Sequence, residues 1–253
     1  MILDLTTRGS SLVKRCSVAV IPLLLLAVAG VLEAQSAAPA AAPSPDPSLI
    51  DMPDEPVLPR VLLIGDSISM DYTVPVRRLL QGRANVHRVP GNGSTTVVGL
   101  ENLSAWLGDK KWDVIHFNWG LHDLTVLLGQ GGVKNDGSHL VPLDQYQKNL
   151  EELVGRLKRT GATLVWATTT PVPPADVRIL YRKSSDAIAY NAVARNIMEK
   201  SAIAIDDLYS FALPRLATIQ KPENVHFTEA GSEELAKQVA ASISAALEAR
   251  KRD

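Results

Sequence analysis

The sequence predicts a three-layer α/β/α domain around a mostly parallel five-stranded sheet. Short apolar runs rich in β-branched residues alternate along the chain with segments whose apolar residues recur at helical spacing. The runs lack the polar–apolar alternation of a half-exposed strand, which indicates a sheet buried on both faces. Hydrophobic residues make up 46% of the 253 residues and charged residues 21%, as is typical of a globular protein.

Five strands and three long helices are predicted. The strands are assigned to residues 61–64, 85–89, 112–118, 163–168 and 203–205, of which 85–89 has the weakest pattern. The helices are assigned from the spacing of three apolar sets: Tyr146, Leu150, Leu153 and Leu157; Tyr190, Val193, Ala194 and Ile197; and Leu235, Val239, Ile243 and Leu247. Gly161 is expected to end the first helix, and Thr228 to cap the last.

Residues 1–34 have the pattern of a signal peptide. Arg8, Lys14 and Arg15 precede an apolar run over residues 18–32. That run has 15 residues, fewer than the roughly 20 that a membrane-spanning helix needs. We therefore expect a secreted or periplasmic protein, the alternative being an uncleaved N-terminal anchor. No membrane partner is expected beyond this segment.

Residues 35–59 are predicted to be a Pro/Ala-rich linker. Seven prolines in this stretch prevent a helix or a regular sheet ladder, so it should behave as an extended spacer. The folded domain is then expected to occupy residues 60–253.

The composition argues against several classes of partner and cofactor. The 26 Lys and Arg residues nearly balance the 27 Asp and Glu residues, and aromatic residues make up only 5%, so no nucleic-acid partner is expected. The single cysteine, Cys16, cannot form an internal disulfide or a Cys-based zinc site. The five histidines lack a metal-ligand spacing, and we predict neither a metal nor a cofactor.

Four polar segments fall where predicted strands end or the last helix begins. They are Gly65-Asp66-Ser67, Gly93-Ser94, Gly120-Leu121-His122-Asp123 and Glu223-Asn224-Val225-His226. Ligands of open α/β sheets bind at the carboxyl ends of the strands, so these segments are the candidate site. A serine on a strand-to-helix turn presents its hydroxyl and its own N–H to such a cleft.

In this order, the four segments resemble the blocks of the SGNH hydrolase superfamily, the GDSL esterases and lipases. The resemblance extends over residues 60–248 and implies a flavodoxin-like fold. It implies that Ser67 is the nucleophile and that His226 is the base. It also implies that the N–H groups of Ser67 and Gly93 bind the oxyanion.

Two positions depart from the family pattern. His122 stands where the family has an asparagine that donates to the oxyanion. An imidazole N–H can donate instead, Asn118 is an alternative donor, and simple packing is the other reading of His122. Glu223 stands where the family has the aspartate that orients the histidine. Either Glu223 completes a triad, or Ser67 and His226 form a dyad with a backbone carbonyl as orienting group.

These residues predict a secreted serine esterase that works through an acyl-enzyme. The expected substrate is a small-molecule or polysaccharide ester, such as an O-acetyl group on a carbohydrate. The alternatives are a lipase or thioesterase of the same superfamily, or a non-catalytic carbohydrate-binding relative. Retention of both Ser67 and His226 favours catalysis.

Overall fold

The structure is a computed structural model that describes residues 45–127, 138–173 and 180–252. The predicted signal peptide and residues 35–44 of the predicted linker lie outside the described residues. Within those three ranges, no helix is long and apolar enough to cross a membrane.

All five predicted strands are present and form one all-parallel sheet. The strands within the described residues are β1 (Arg60–Ile64), β2 (Asn85–Arg88), β3 (Val114–Phe117), β4 (Val126–Leu127), β5 (Thr163–Ala167), β6 (Leu180–Tyr181) and β7 (Ala204–Asp206). The sheet has the order β2-β1-β3-β5-β7, and β4 and β6 form a separate antiparallel pair. Two-residue strands carry no periodicity, which is why the sequence did not predict this pair.

Helices cover both faces of the sheet. They are α1 (Ser67–Leu79), α2 (Thr96–Leu107), α3 (Leu143–Lys158), α4 (Ser184–Lys200), α5 (Leu208–Ala212), α6 (Leu216–Ile219) and α7 (Glu229–Arg250). Helices α1 and α7 pack together, and α3 packs between α2 and α4. Helices α3, α4 and α7 are the three predicted from apolar spacing. Gly161 follows α3 with φ of 72°, and the Thr228 hydroxyl caps α7 by accepting from the Gly231 N–H at 3.0 Å.

Burial of the central strands explains why their sequences are continuous apolar runs. Val61 and Leu63 in β1, Val114 in β3 and Trp166 in β5 are completely buried. Parallel strands covered by helices on both faces have no solvent-facing positions to fill with polar residues. His116 in β3 is an exception and lies 2.9 Å from the carboxylate of Asp206, whereas the polar residues of the candidate site follow the strand ends.

The second half of the predicted linker contacts the edge strand β2, on the N-terminal side of the predicted boundary at Arg60. The side chain of Asn85 in β2 accepts from the Glu55 N–H at 2.8 Å and donates to the Glu55 and Leu58 carbonyls. Asp54 lies 2.7 Å from the ring of His87, on the same strand. Apart from a short 3-10 helix at Pro47–Leu49, this segment has neither helix nor strand, but its backbone still pairs with the Asn85 side chain of the edge strand β2.

We expect a protein that begins at Arg60 to be less stable than one that begins at Gln35. Without residues 35–59, the Asn85 amide and the His87 ring lose their partners at largely buried positions. Unpaired buried polar groups cost about 1–3 kcal/mol each, so the loss of partners at two such groups should lower the free energy of unfolding by roughly 2–6 kcal/mol. Urea denaturation of both proteins measures the difference, and equal unfolding free energies would show that the segment is a spacer after all.

Candidate active site

Ser67 lies on the turn between β1 and α1, at the carboxyl edge of the sheet. It is the first residue of α1, and Asp66 caps that helix by accepting from the Ile68 N–H at 2.9 Å. Asp66 is buried, whereas Ser67 is half-buried. The turn therefore fixes the backbone of residue 67 firmly and leaves its hydroxyl at the surface of the cleft.

His226 lies next to Ser67, as predicted, although the two residues are 159 positions apart in the sequence. Its Nε2 lies 2.8 Å from the Ser67 Oγ, within ordinary hydrogen-bond distance. The ring is supplied by the segment just before α7, which is anchored by an isolated antiparallel pairing of Gln220 with Phe227. A serine hydroxyl bonded to an imidazole nitrogen is the arrangement needed for a base-activated nucleophile.

Asn224 orients the imidazole of His226. Its Oδ1 lies 2.9 Å from Nδ1 of the ring and also accepts from the His226 backbone N–H at 3.1 Å. A backbone N–H is always a donor, so the atom facing it must be the amide oxygen. Nδ1 then carries the proton, and the lone pair of Nε2 is left to accept from the Ser67 hydroxyl. The contact therefore selects the tautomer that a general base requires.

Glu223 does not orient the histidine, contrary to the prediction, and neither does a backbone carbonyl. Glu223 is exposed and has a φ of 51°, while the acceptor at Nδ1 is the side chain of the next residue, Asn224. Asparagine readily accepts from the backbone N–H two residues later, and that local turn brings its oxygen beside the ring. An asparagine two positions before the histidine was thus a usable signal in the sequence.

Gly93 approaches the nucleophile turn, but its N–H is already bonded. The Gly93 N–H donates to the Gly65 carbonyl at 2.9 Å, rather than being open to a substrate. A Cβ atom at Gly93 would lie 2.8 Å from the same carbonyl oxygen, so glycine is needed for close approach of the two backbones. The structure thus gives Gly93 a role in packing and not the predicted role of oxyanion donor.

Asn118 is also unavailable as a donor to the oxyanion. Its Nδ2 donates to the Ala167 carbonyl at 2.7 Å and lies 3.4 Å from the Thr169 hydroxyl. These contacts tie the end of β3 to the end of β5. The alternative in which Asn118 replaces the family's asparagine is therefore not supported by the structure.

His122 is half-buried and lies near Asp66 and His226. Burial lowers the pKa of its imidazole; Asp66 opposes this shift, while the positive charges of Arg182 and His226 add to it. The ring is therefore neutral at pH 7 and carries one N–H. With Gly93 and Asn118 engaged elsewhere, the predicted oxyanion donors that remain are His122 and the backbone N–H of Ser67.

A family model described as the GDSL-like lipase/acylhydrolase family matches residues 63–233. The chain belongs to this family. The match runs from β1 into α7 and includes the turn of Ser67 and the segment of His226. A comparison with curated proteins gives no match.

Solved structures share the fold of this GDSL-family chain at low sequence identity. The acetyl xylan esterase AlAXEase is 15% identical with a TM-score of 0.60, over 73% of this chain and 99% of that one. A lipase/acylhydrolase from Enterococcus faecalis is 17% identical with a TM-score of 0.62, over 74% and 96%. Axe2, an acetylxylan esterase from Geobacillus stearothermophilus, is 20% identical with a TM-score of 0.59, over 73% and 94%.

Arg88 is a site residue of this GDSL-family protein that sequence reasoning missed. Its guanidinium lies under the nucleophile turn and donates to the carbonyls of Gly65, Asp66 and Gly91, and to the Ser69 hydroxyl. Burial lowers the pKa of Arg88 to about 10, so the group stays charged at neutral pH. A single cation thus links the turn of the nucleophile to the loop that carries Gly93.

Asp123 holds the His122 segment against the start of α2. Its carboxylate is fully buried and accepts from the N–H and the hydroxyl of Thr96, at 2.8 and 2.6 Å. Burial raises the pKa of Asp123 to about 6, against the opposing effect of these hydrogen bonds. The residue next to His122 is therefore fixed in place, which limits the movement of the ring.

A carboxylate in place of the neutral Asn224 should change the pH dependence of the GDSL-family site. In the Asn224→Asp variant, the new charge favours the protonated imidazole, so the acidic limb of the pH–rate profile should move up by about one unit. Asn224→Ala is the control that removes the acceptor without adding charge. The kcat/KM of ester hydrolysis measured across pH gives the shift, and an unmoved acidic limb would mean that residue 224 does not contact the working base.

Proposed function

We propose that this protein is a serine esterase that removes O-acetyl groups from a polysaccharide through an acyl-enzyme. The observation that carries the proposal is the hydrogen-bonded series Asn224–His226–Ser67, which ends in a hydroxyl on a strand-to-helix turn. Each member has the partner that its role requires. The nucleophile has a base, and the base has an orienting acceptor.

The reaction would proceed by two acyl transfers. Nε2 of His226 takes the Ser67 proton as Oγ bonds to the ester carbonyl carbon, and the resulting oxyanion is bound by the Ser67 N–H and the His122 ring. The ester C–O bond then breaks, and the departing alcohol oxygen receives the proton from His226. Water attacks the acyl-enzyme with His226 again as base, and acetate leaves as Ser67 regains its proton.

In the proposed mechanism, the group that orients His226 is the neutral side chain of Asn224 and not a charged aspartate. An aspartate would stabilise the imidazolium by charge, whereas an amide oxygen stabilises it only by its dipole. Asn224 still orients the imidazole ring of His226 and selects its tautomer. The rate of the proton-transfer step should therefore depend on geometry more than on long-range charge.

Two kinds of observation support acetylated polysaccharide as the substrate class. The structures of similar fold include proteins named acetyl xylan esterases, at identities of 15% and 20%. The apolar run over residues 18–32 favours export, and we include secretion or a periplasmic location in the proposal. Extracellular polysaccharides would then be accessible to the enzyme.

A panel of p-nitrophenyl esters tests the proposal: acetate, butyrate, octanoate and laurate, with acetylated xylo-oligosaccharide beside them. We expect the highest kcat/KM on acetate, and acetate release from the oligosaccharide. A maximum on octanoate or laurate would instead identify a lipase or long-chain acyl hydrolase. Turnover no higher than that of the Ser67→Ala protein on every substrate would identify a non-catalytic relative.

A further inference from the structure

The backbone carbonyl of Asp66, the residue before Ser67, accepts three hydrogen bonds. The donors are the Met70 N–H at 3.0 Å, the Ser69 hydroxyl at 2.9 Å and Nη2 of Arg88 at 3.2 Å. The bond from Met70 belongs to the first turn of α1, whereas the other two are additional to the helix. A carbonyl oxygen has two lone pairs, so this oxygen is fully used, and one of its donors carries a positive charge.

This carbonyl belongs to the same peptide group as the N–H of Ser67. The first N–H groups of a helix have no partner within it, and the Ser67 N–H makes no hydrogen bond to any residue in the described ranges. Hydrogen bonds that share a group polarise one another, so donors at the oxygen of an amide make its N–H a stronger donor. The bonds at the Asp66 carbonyl therefore act on the N–H that the proposed mechanism uses to bind the oxyanion.

Arg88 reaches this turn from the neighbouring strand. It is the last residue of β2, which is parallel to β1, and it lies in register with Leu63, two residues before Gly65. Its Nη2 lies 2.8 Å from the Gly65 carbonyl oxygen and 3.2 Å from that of Gly91, and its Nη1 donates to the Ser69 hydroxyl. A planar guanidinium with five donors can make these contacts together, whereas a lysine ammonium offers only a single point charge.

We propose that Arg88 is a positioning residue that fixes and polarises the N–H of Ser67 for binding of the oxyanion. Its hydrogen bonds are in place without substrate, so the donor is already oriented and strengthened when negative charge develops on the ester oxygen. The charge of Arg88 acts through the peptide group of Asp66 and Ser67 and does not need to touch the substrate. The inference rests on the proposed function and assigns a role in it to a residue outside the motif segments.

Steady-state kinetics on p-nitrophenyl acetate give the first test. In Arg88→Met, a weaker oxyanion bond should lower kcat about three- to tenfold and change KM much less, because the donor acts in the transition state. Arg88→Lys keeps the charge without the planar fork, and its kcat should lie between those of Arg88→Met and the parent. Arg77→Met is the matched control. Arg77 is also half-buried, but it donates to the carbonyls of Val86 and Pro47, so its loss should leave kcat unchanged.

The amide nitrogen NMR signal of Ser67 gives a second test that needs no turnover. This signal, assigned by its absence in Ser67→Ala, responds to hydrogen bonds at the carbonyl of the same peptide group. It should move upfield in Arg88→Met, less in Arg88→Lys and not in Arg77→Met.

The two tests together separate this inference from the proposed function. A moved signal in a protein that hydrolyses no ester would support the polarised N–H and reject the esterase. In an active esterase, a moved signal with parental kcat, a lowered kcat with an unmoved signal, or no change in either would overturn the role of Arg88.

Discussion

The Ser67→Ala variant should lose ester hydrolysis by a factor of about 10⁴ or more in kcat, with little change in stability. The Ser67 hydroxyl is half-buried and makes one hydrogen bond, to His226. Its loss should therefore cost no more than about 1 kcal/mol of unfolding free energy. Purified parent and variant proteins are compared by p-nitrophenyl acetate turnover and by thermal denaturation.

The double variant Ser67→Ala/His226→Ala tests whether Ser67 and His226 act together, as the proposed mechanism requires. Residues that act as a unit in catalysis are strongly non-additive, so the double variant should be about as slow as Ser67→Ala alone. If the two losses multiply, the residues act independently and the proposed proton transfer between them is wrong. Turnover by Ser67→Ala at the parental rate would place the nucleophile elsewhere.

The sheet and the candidate pair of Ser67 and His226 were predictable from the sequence for different reasons. Strands such as β1 and β3 are buried on both faces, and burial leaves a continuous apolar run that can be read directly. Ser67 and His226 were found because their positions match motif blocks of a family. No local pattern could have shown that two residues 159 positions apart lie 2.8 Å from one another.

The role of each remaining motif residue depended on where its polar atoms point. A motif gives the position of Gly93 but not the direction of its N–H, which is turned to Gly65. It gives Glu223 by spacing, whereas a local turn places Asn224 at the ring instead. The spacing of a motif cannot tell one residue from its neighbour, and it cannot show in which direction an N–H group points.

Long-range polar contacts account for the features that sequence reasoning missed altogether. Arg88 lies in the weakest predicted strand, and its partners include the carbonyl of Gly65, which is 23 residues away in the sequence. The segment around Glu55 docks through the side chain of Asn85, which the proline content gave no reason to expect. Such contacts depend on the assembled fold, so residue composition does not predict them.

The corrections at Gly93 and Asn118 leave His122 as the side chain best placed to bind the oxyanion. Each of the two excluded groups already donates to a backbone carbonyl, at 2.9 and 2.7 Å. His122 lies close enough to Asp66 and His226 for its pKa to respond to their charges, and its neighbour Asp123 is fixed to α2. A preorganised N–H in a partly dry cleft is an effective stabiliser of developing negative charge.

Replacement of His122 by alanine should therefore reduce kcat by about 10²–10³-fold, the cost of one oxyanion donor. KM should change much less, because the donor acts on charge that develops in the transition state. His122→Asn restores the amide that the family uses at this position and should recover part of the loss. The recovery should be incomplete, since the amide reaches less far than the imidazole. Steady-state kinetics on p-nitrophenyl acetate measure both constants. A near-parental kcat in His122→Ala would assign the ring to packing and leave the oxyanion to the Ser67 N–H.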